Sequence, residues 1–462
     1  MSAKRSDALL HKRENGYRSL SAEEKAAMNA YCEEYKTFLD KSRTEREAVR
    51  YTVQLAEARG YRPYHRGDAL KPGDKIYRVN RDKAIMLAVM GTEPLDKGVN
   101  IGAAHIDAPR LDLKPNPLIE DSEFALLKTH YYGGIRKYHW VSIPLSLRGV
   151  VVKRDGTKVD VVIGGEPGDP LLTIPDLLPH LADKQAKEPL WQAIKGEDLN
   201  ILVGSEPYPD PDEKDAVKLM VLDILNQKYG MVEEDFLSAE LCAVPAYPVA
   251  DVGLDRSMIG SYGQDDRVCS FAALQGLFDA EETLKRTGVC MLVDKEEIGS
   301  EGVSGMQSWA FDTFMSDLCD ATGASLKSCY ENSFCLSADV TAAFDPNFAE
   351  VYEKHNAARL NRGVGLCKYT GARGKSGASD ASAEVVGYVR KLFNDNGILW
   401  QLSEMGKVDV GGGGTVALYM ANRNIDTIDA GTPVLAMHSP FEVTGKLDCY
   451  MTYRSMKAVF EA

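Results

Sequence analysis

Met291-Leu-Val-Asp-Lys-Glu-Glu-Ile-Gly-Ser300 is the stretch on which the reading of this chain turns. An apolar run from Val289 to Val293 has the length and composition of a short buried strand. It leads into Asp294, Lys295, Glu296 and Glu297, and Gly299 then permits a sharp turn. Adjacent carboxylates repel, and along an extended segment they point to opposite sides. Glu296 and Glu297 are therefore expected to do different work. A divalent cation gives both a role, one carboxylate ligating it while the other takes a proton from water. Alone, the pair reads more simply as a solvated strand end; the rest of the chain decides.

The chain has 462 residues, enough for a large core and more than one domain. Apolar residues make up 44% and charged residues 26%, the balance of a soluble globular protein. A net charge of -14 argues against nucleic acid and anionic membrane as partners. The nine cysteines are scattered without C-x-x-C spacing. That argues against a disulfide framework or a zinc ribbon and suits the cytoplasm. Met1 to Asp7 lead into no apolar signal region. No apolar run approaches the roughly 20 residues of a membrane span.

Outward from the glutamates, the chain alternates helices and strands. Residues 1–61 read as helical: Ser21-Ala-Glu-Glu24 fits a capping box, and a second helix from about Thr44 stops at Gly60. Strands follow over Lys75–Val79, Ala84–Met90 and Gly98–Ile106, the last running into Ala104-His-Ile-Asp-Ala-Pro109. His105 and Asp107 are two apart, so Asp107 can orient the His105 ring, as carboxylates commonly do for ligand histidines. From about Arg110 the texture changes to short β-rich pieces (140–153, 158–163) between turn-rich stretches such as 164–170 and 206–213. The α/β alternation resumes after Ala246. We therefore expect an α/β fold, a central sheet flanked by helices. Its discontinuous catalytic domain spans 1–109 and 245–462, and 110–244 form an inserted β-rich lid or dimerisation domain.

The second α/β part carries further acids at element ends. Gly260-Ser-Tyr-Gly-Gln-Asp-Asp-Arg267 opens a helix to about Leu284, with Asp265 and Asp266 at its start. Met306–Thr322 and Ser379–Asn394 read as helices, and Phe334–Asp339 as a strand ending in Asp339. Ile398–Ser403 reads as a strand. Pro433–His438 reads as the last strand, ending in His438, with a final helix from Gly445. Gly411-Gly-Gly-Gly-Thr415 opens a helix but lacks the lysine and spacing of a phosphate loop. Ligand sites in open α/β sheets form beyond the carboxyl ends of strands. His105, Asp265, Glu297, Asp339 and His438 can therefore converge although far apart in sequence. Two imidazoles and three carboxylates, one of them shared, fit two divalent cations roughly 3.5–4 Å apart. Nitrogen and oxygen donors suit zinc, cobalt or manganese.

His105-Ile-Asp107, Asp265, Asp294-Lys-Glu-Glu-Ile-Gly-Ser300, Ser337-Ala-Asp339 and Met437-His-Ser439 together resemble, in order, the motif blocks of the aspartyl aminopeptidase family. Tyr132-Gly-Gly134 and Ile174-Pro-Asp-Leu-Leu-Pro-His180 also look familial. The resemblance implies a two-metal aminopeptidase that removes the N-terminal residue from peptides, with acidic Asp or Glu as the candidate preference. It implies that Asp265 bridges the metals, with His105 and Asp339 completing one site and Glu297 and His438 the other. Glu296 becomes the general base and Asp107 the residue orienting His105. His180 resembles a histidine that reaches a neighbouring subunit's active site, and Lys375 stands where a basic residue could meet an acidic side chain. The implied assembly is a homo-oligomer of dimers, up to a dodecamer. Ala342 and Asp345 stand where better-known members carry two histidines, and Asp266-Arg267 where they carry Asn-Leu; both bear on acidic specificity. The alternatives are a deacylase or carboxypeptidase on the same scaffold, or a non-catalytic assembly or cargo protein.

Overall fold

A computed structural model describes residues 5, 9, 10, 14–166 and 168–462. The beginning of the expected 1–61 helical segment and Pro167 of the 164–170 turn lie outside the described residues. The architecture is α/β, built on a nine-stranded sheet. Its order is Arg62–Pro63, Lys75–Asn80, Ala84–Val89, Gly288–Val293, Asn100–His105, Phe334–Ser337, Asp426–Gly431, Val364–Cys367, Trp400–Leu402. The four strands from Gly288–Val293 to Asp426–Gly431 run parallel. Register fixes where their carboxyl ends fall: Val293 pairs with His105, and Ser337 with Ala103. Asp339, two residues beyond Ser337, thus reaches the same edge as His105.

Both faces of the sheet are covered, which explains its apolar strands. Along Ala84–Val89, Ile85, Leu87 and Val89 enter one core while Met86 and Ala88 enter the other. The first core packs beneath helices Ala22–Lys41, Glu45–Glu57, Gln264–Phe278, Ala383–Asp395 and Lys446–Phe460. The second packs beneath Ala310–Thr322 and Leu326–Glu331. Capping boxes start the helices at Ser21 and Thr44.

A six-stranded antiparallel sheet takes all its strands from between Arg110 and Pro245 and buries its own core, including Trp140, against the helix Ala216–Tyr229. A five-stranded sheet joins Met258–Ser261, Glu442–Gly445, Pro433–Leu435, Ala250–Val252 and Thr341–Ala342.

Several expectations shift. Glu296 and Glu297 are not extended: Lys295 turns to φ 70, and Glu296–Ile298 form a 3-10 turn. The first helix residues after Gly263 hold non-helical angles at Asp265 and Asp266, and that helix ends at Phe278, short of Leu284. The helix expected from Met306 starts at Ala310. Gly412–Gly413 pair with Gly371–Ala372 as a strand instead of opening a helix; a short helix, Ala417–Ala421, follows. The Pro433 strand stops at Leu435 because Ala436 and His438 take positive φ. It lies in the five-stranded sheet, whereas Asp426–Gly431, unexpected because Asp426, Thr427 and Asp429 break its apolar run, is central to the large one.

Candidate metal centre

Every ligand-type residue singled out at a strand or helix end, from His105 to His438, meets at one edge of the sheet. His105 closes its strand, 1% exposed, with its Nε2 3.2 Å from Asp265 Oδ1 and 3.9 Å from Asp339 Oδ1. His438 Nε2 lies 3.1 Å from Asp265 Oδ2 and 3.4 Å from Glu297 Oε2. Asp265 therefore offers one oxygen to each imidazole. Asp339 is pressed into place by Gly431: a Cβ there would fall 1.6 Å from the Asp339 carbonyl oxygen.

The site's turns are held through their main chain. Asp107 is fully buried and accepts from the backbone N–H groups of Glu296 and Glu297, each at 3.2 Å, and from the Tyr132 hydroxyl at 2.7 Å. Its Oδ1 also lies 3.2 Å from His105 Nδ1. Glu442 accepts from the N–H groups of His438 and Asp265. Asp266 accepts from the His105 N–H at 3.4 Å, and the Ser270 hydroxyl donates to the His105 carbonyl. From the turn that follows the strand Phe124–Tyr132, the Gly134 carbonyl sits 2.9 Å from His438 Nδ1. Sequence reading picked out Tyr132-Gly-Gly134 without a role; it missed Glu442, whose burial no local pattern announces.

Crowding the acids has electrostatic consequences. Burial pushes the Glu296 carboxyl up to about 7, and burial together with the Asp265 charge raises Glu297 well above the usual carboxylate range. Burial and the Glu296 charge do the same to Asp339. Burial opposes ionisation of Asp265 too, but the His105 and His438 imidazoles beside its two oxygens outweigh it and hold its carboxyl low. Burial opposes the charged form of His438 as well, yet Asp265 carries it up to about 10.

These residues fit divalent cations. His105 Nε2, Asp265 Oδ1 and Glu297 Oε1 are buried without a hydrogen-bond partner among the described residues. Ligand atoms of His105, Asp265 and Glu297 lie within 4.8 Å of one another, as do those of His105, Glu296 and Asp339. Glu297 and Asp265 side chains are 3% and 4% exposed, while that of Glu296 is 17% exposed.

A cavity adjoins Asp339 and is lined by Tyr369, Arg373, Lys375, Glu404 and Lys407. Lys375 lines it as expected, but its Nζ is 2.9 Å from Asp380 Oδ2 and lies over the Tyr369 ring. Asp345 caps the turn Pro346–Val351, accepting from the Asn347 N–H at 2.8 Å. His180 is not brought to the site: it stands on the exposed turn Pro179–Leu181, beside exposed Leu177, Leu178 and Leu181.

A mixed sheet covered on both faces, with imidazoles and carboxylates converging at the carboxyl edge of its parallel strands, defines a metal-dependent hydrolase of the α/β type. Comparison with known proteins narrows the class. The family described as aminopeptidase I zinc metalloprotease (M18) matches residues 38–460, and the chain belongs to that family. A probable M18 family aminopeptidase 1 of Thermotoga maritima is 46% identical over 444 residues, 95% of this chain and 97% of that protein. The crystal structure of an M18 family aminopeptidase from Thermotoga maritima superposes with a TM-score of 0.94 at 44% identity, covering 98% of this chain and 100% of that one. A mApe1 dodecamer of S. cerevisiae shares the fold at 22% identity, with a TM-score of 0.76 over 94% of this chain and 97% of that one. The protein is an aminopeptidase, a metal-dependent hydrolase.

Proposed function

We propose that the enzyme releases N-terminal residues from peptides with two divalent cations, zinc in the first place and cobalt or manganese as substitutes. The observation that carries this reading is Asp265, whose two oxygens face two different imidazoles. Asp265 would bridge the cations, with His105 and Asp339 on one and Glu297 and His438 on the other. Cations held there supply Lewis acidity toward the scissile carbonyl and toward water. Glu296 takes a proton from the attacking water. The water oxygen bonds to the carbonyl carbon, the C–N bond breaks, and Glu296 returns the proton to the leaving amine. Its side chain, 17% exposed against 3% for Glu297, suits a group that meets water, and its Oε2 lies 3.9 Å from His105 Nε2, beside the proposed cations. Asp107 keeps the His105 ring and the Glu296–Glu297 turn in place. The free α-amine of the substrate would ligate one cation or pair with a nearby carboxylate, confining cleavage to the first residue.

The separate six-stranded sheet supports the proposed division into a catalytic part (1–109 and 245–462) and an inserted lid and dimerisation part (110–244). The exposed patch of Leu177, Leu178, Leu181 and Trp191 around His180 suits burial against a second copy, with dimers assembling toward a dodecamer. Among the described residues no helix is long and apolar enough to cross a membrane, and the nine cysteines are free thiols, in keeping with a cytoplasmic enzyme. Acidic first residues are the proposed preference, with Lys375 and its basic neighbours in the cavity.

The deciding experiment replaces the base. Glu296→Gln should retain the metal content of the unaltered protein while kcat on aminoacyl anilides falls by about 10²–10⁴. Near-normal turnover by that variant would sink the assignment.

A further inference from the structure

The structure assigns Glu442 as a positioning residue: its one carboxylate ties together the two turns that present Asp265 and His438, and so sets their separation before any cation arrives. The inference rests on the two-cation reading above. Glu442 opens the strand Glu442–Gly445, which pairs antiparallel with Met258–Ser261 so that Glu442 stands opposite Ser261. That register places its side chain, 1% exposed, between the turn leaving Ser261 and the turn arriving from Leu435. Oε2 accepts from the Asp265 N–H at 3.1 Å, and Oε1 from the His438 N–H at 2.7 Å.

Both amides need this acceptor. Asp265 holds φ -78 and ψ 106 at the start of a helix, so its N–H lies outside the helical ladder. His438 adopts φ 63, a left-handed conformation that side chains other than glycine's disfavour. Such a turn persists only where its surroundings fix it, and a buried N–H left without an acceptor is costly. Gln264 reinforces the tie from the other side, its Nε2 donating to the Glu442 carbonyl at 2.7 Å and to the Ile259 carbonyl at 3.0 Å. A glutamine in place of Glu442 has one oxygen and one NH₂ group, so one of the two amides would face a donor.

A second buried carboxylate does the same job elsewhere and supplies a control. Asp448 accepts from the N–H groups of Asn361 at 2.6 Å and Gly363 at 2.7 Å, and it touches none of the ligand-type residues. Zinc affinity, read by competition with a chromophoric chelator on the full chain, should fall about 10–100-fold in Glu442→Gln. Asp448→Asn should lower thermal stability and leave zinc affinity unchanged. Activity of Glu442→Gln should return as zinc is raised, whereas a variant that was merely misfolded would stay inactive. Unchanged zinc affinity in Glu442→Gln, or an equal loss in Asp448→Asn, overturns the inference. If Glu442→Gln does not fold, hydrogen exchange on the unaltered protein, freed of metal by chelation, decides. Peptides covering 262–268 and 434–440 should show the Asp265 and His438 amides protected, and exchange at the unprotected rate overturns the inference. Failure of the two-cation reading itself looks different, since the unaltered protein would then bind fewer than two zinc ions per chain.

Discussion

Asp107 and Lys375 both place a charge beside the carboxyl edge of the main sheet, and the two are held in opposite ways. Asp107 is wholly buried, with two backbone N–H groups, a tyrosine hydroxyl and an imidazole around its two oxygens. Lys375 has a side chain 44% exposed, a single carboxylate partner of equal exposure, and an aromatic ring beneath it. Removing one partner from a buried network strands the others. Removing one from an exposed pair hands it back to water, where such pairs contribute little. The cation cluster is thus built as an obligatory arrangement, and the cavity beside it as an adjustable one.

The sharpest way to break this comparison is to take the cations away. Prolonged chelation should abolish aminopeptidase activity, and zinc, cobalt or manganese should restore it. Because cations bind the native state and relieve the repulsion among Glu296, Glu297 and Asp339, zinc at about 100 times its Kd should stabilise the fold by roughly 2.7 kcal/mol. Calorimetry with and without zinc reads this as a rise in Tm. An unchanged Tm would mean the acids are satisfied without metal, and the contrast between the two regions would collapse.

Next in size comes Asp107 itself. Asp107→Asn keeps the shape but turns an NH₂ group toward the Glu296–Glu297 amides or the Tyr132 hydroxyl, and it weakens the hold on the His105 tautomer. Zinc affinity should drop about 10–100-fold, measured by chelator competition, with substrate KM at saturating zinc little altered. A Phe at Tyr132 removes only one donor to the same carboxylate and should cost less.

Much of the buried arrangement was legible in the sequence. An acid or histidine closing an apolar run, as at His105, Asp294 and Asp339, marks a strand end, and parallel strands bring such ends to one edge. The supports were hidden for a physical reason. Glu442 in Phe441-Glu-Val443 looks like any strand glutamate, and only pairing with Met258–Ser261, distant in sequence, buries it. Asp426-Thr-Ile-Asp-Ala-Gly431 carries three polar residues yet runs through the centre of the sheet, where the buried Asp429 accepts from the Thr415 hydroxyl. The Glu296–Glu297 turn escaped an extended reading because Asp107 draws both amides to itself. The cavity was the least legible, since what its cations can do depends on which of them are already paired.

That last point yields the smallest predicted effect and the finest test. Lys375 and Lys368 share Asp380, and Tyr369 donates to Glu404, so these groups meet one another before they meet substrate. Arg373 and Lys407 line the same cavity with no ion-pair partner among the described residues. An acidic first residue would therefore meet Arg373 or Lys407 at lower cost than Lys375, whose bond to Asp380 must first break. Arg373→Ala should lower kcat/KM for Asp- and Glu-anilides relative to Ala- or Leu-anilides more than Lys375→Ala does. Both changes should stay within about tenfold, roughly 1.4 kcal/mol, as befits charges screened by solvent. Asp380→Ala, by freeing Lys375, should shift the ratio the opposite way. A loss on acidic substrates from Lys375→Ala far above tenfold would show that this exposed lysine is held as firmly as the buried acids, and the division between the two regions would have to be redrawn around it.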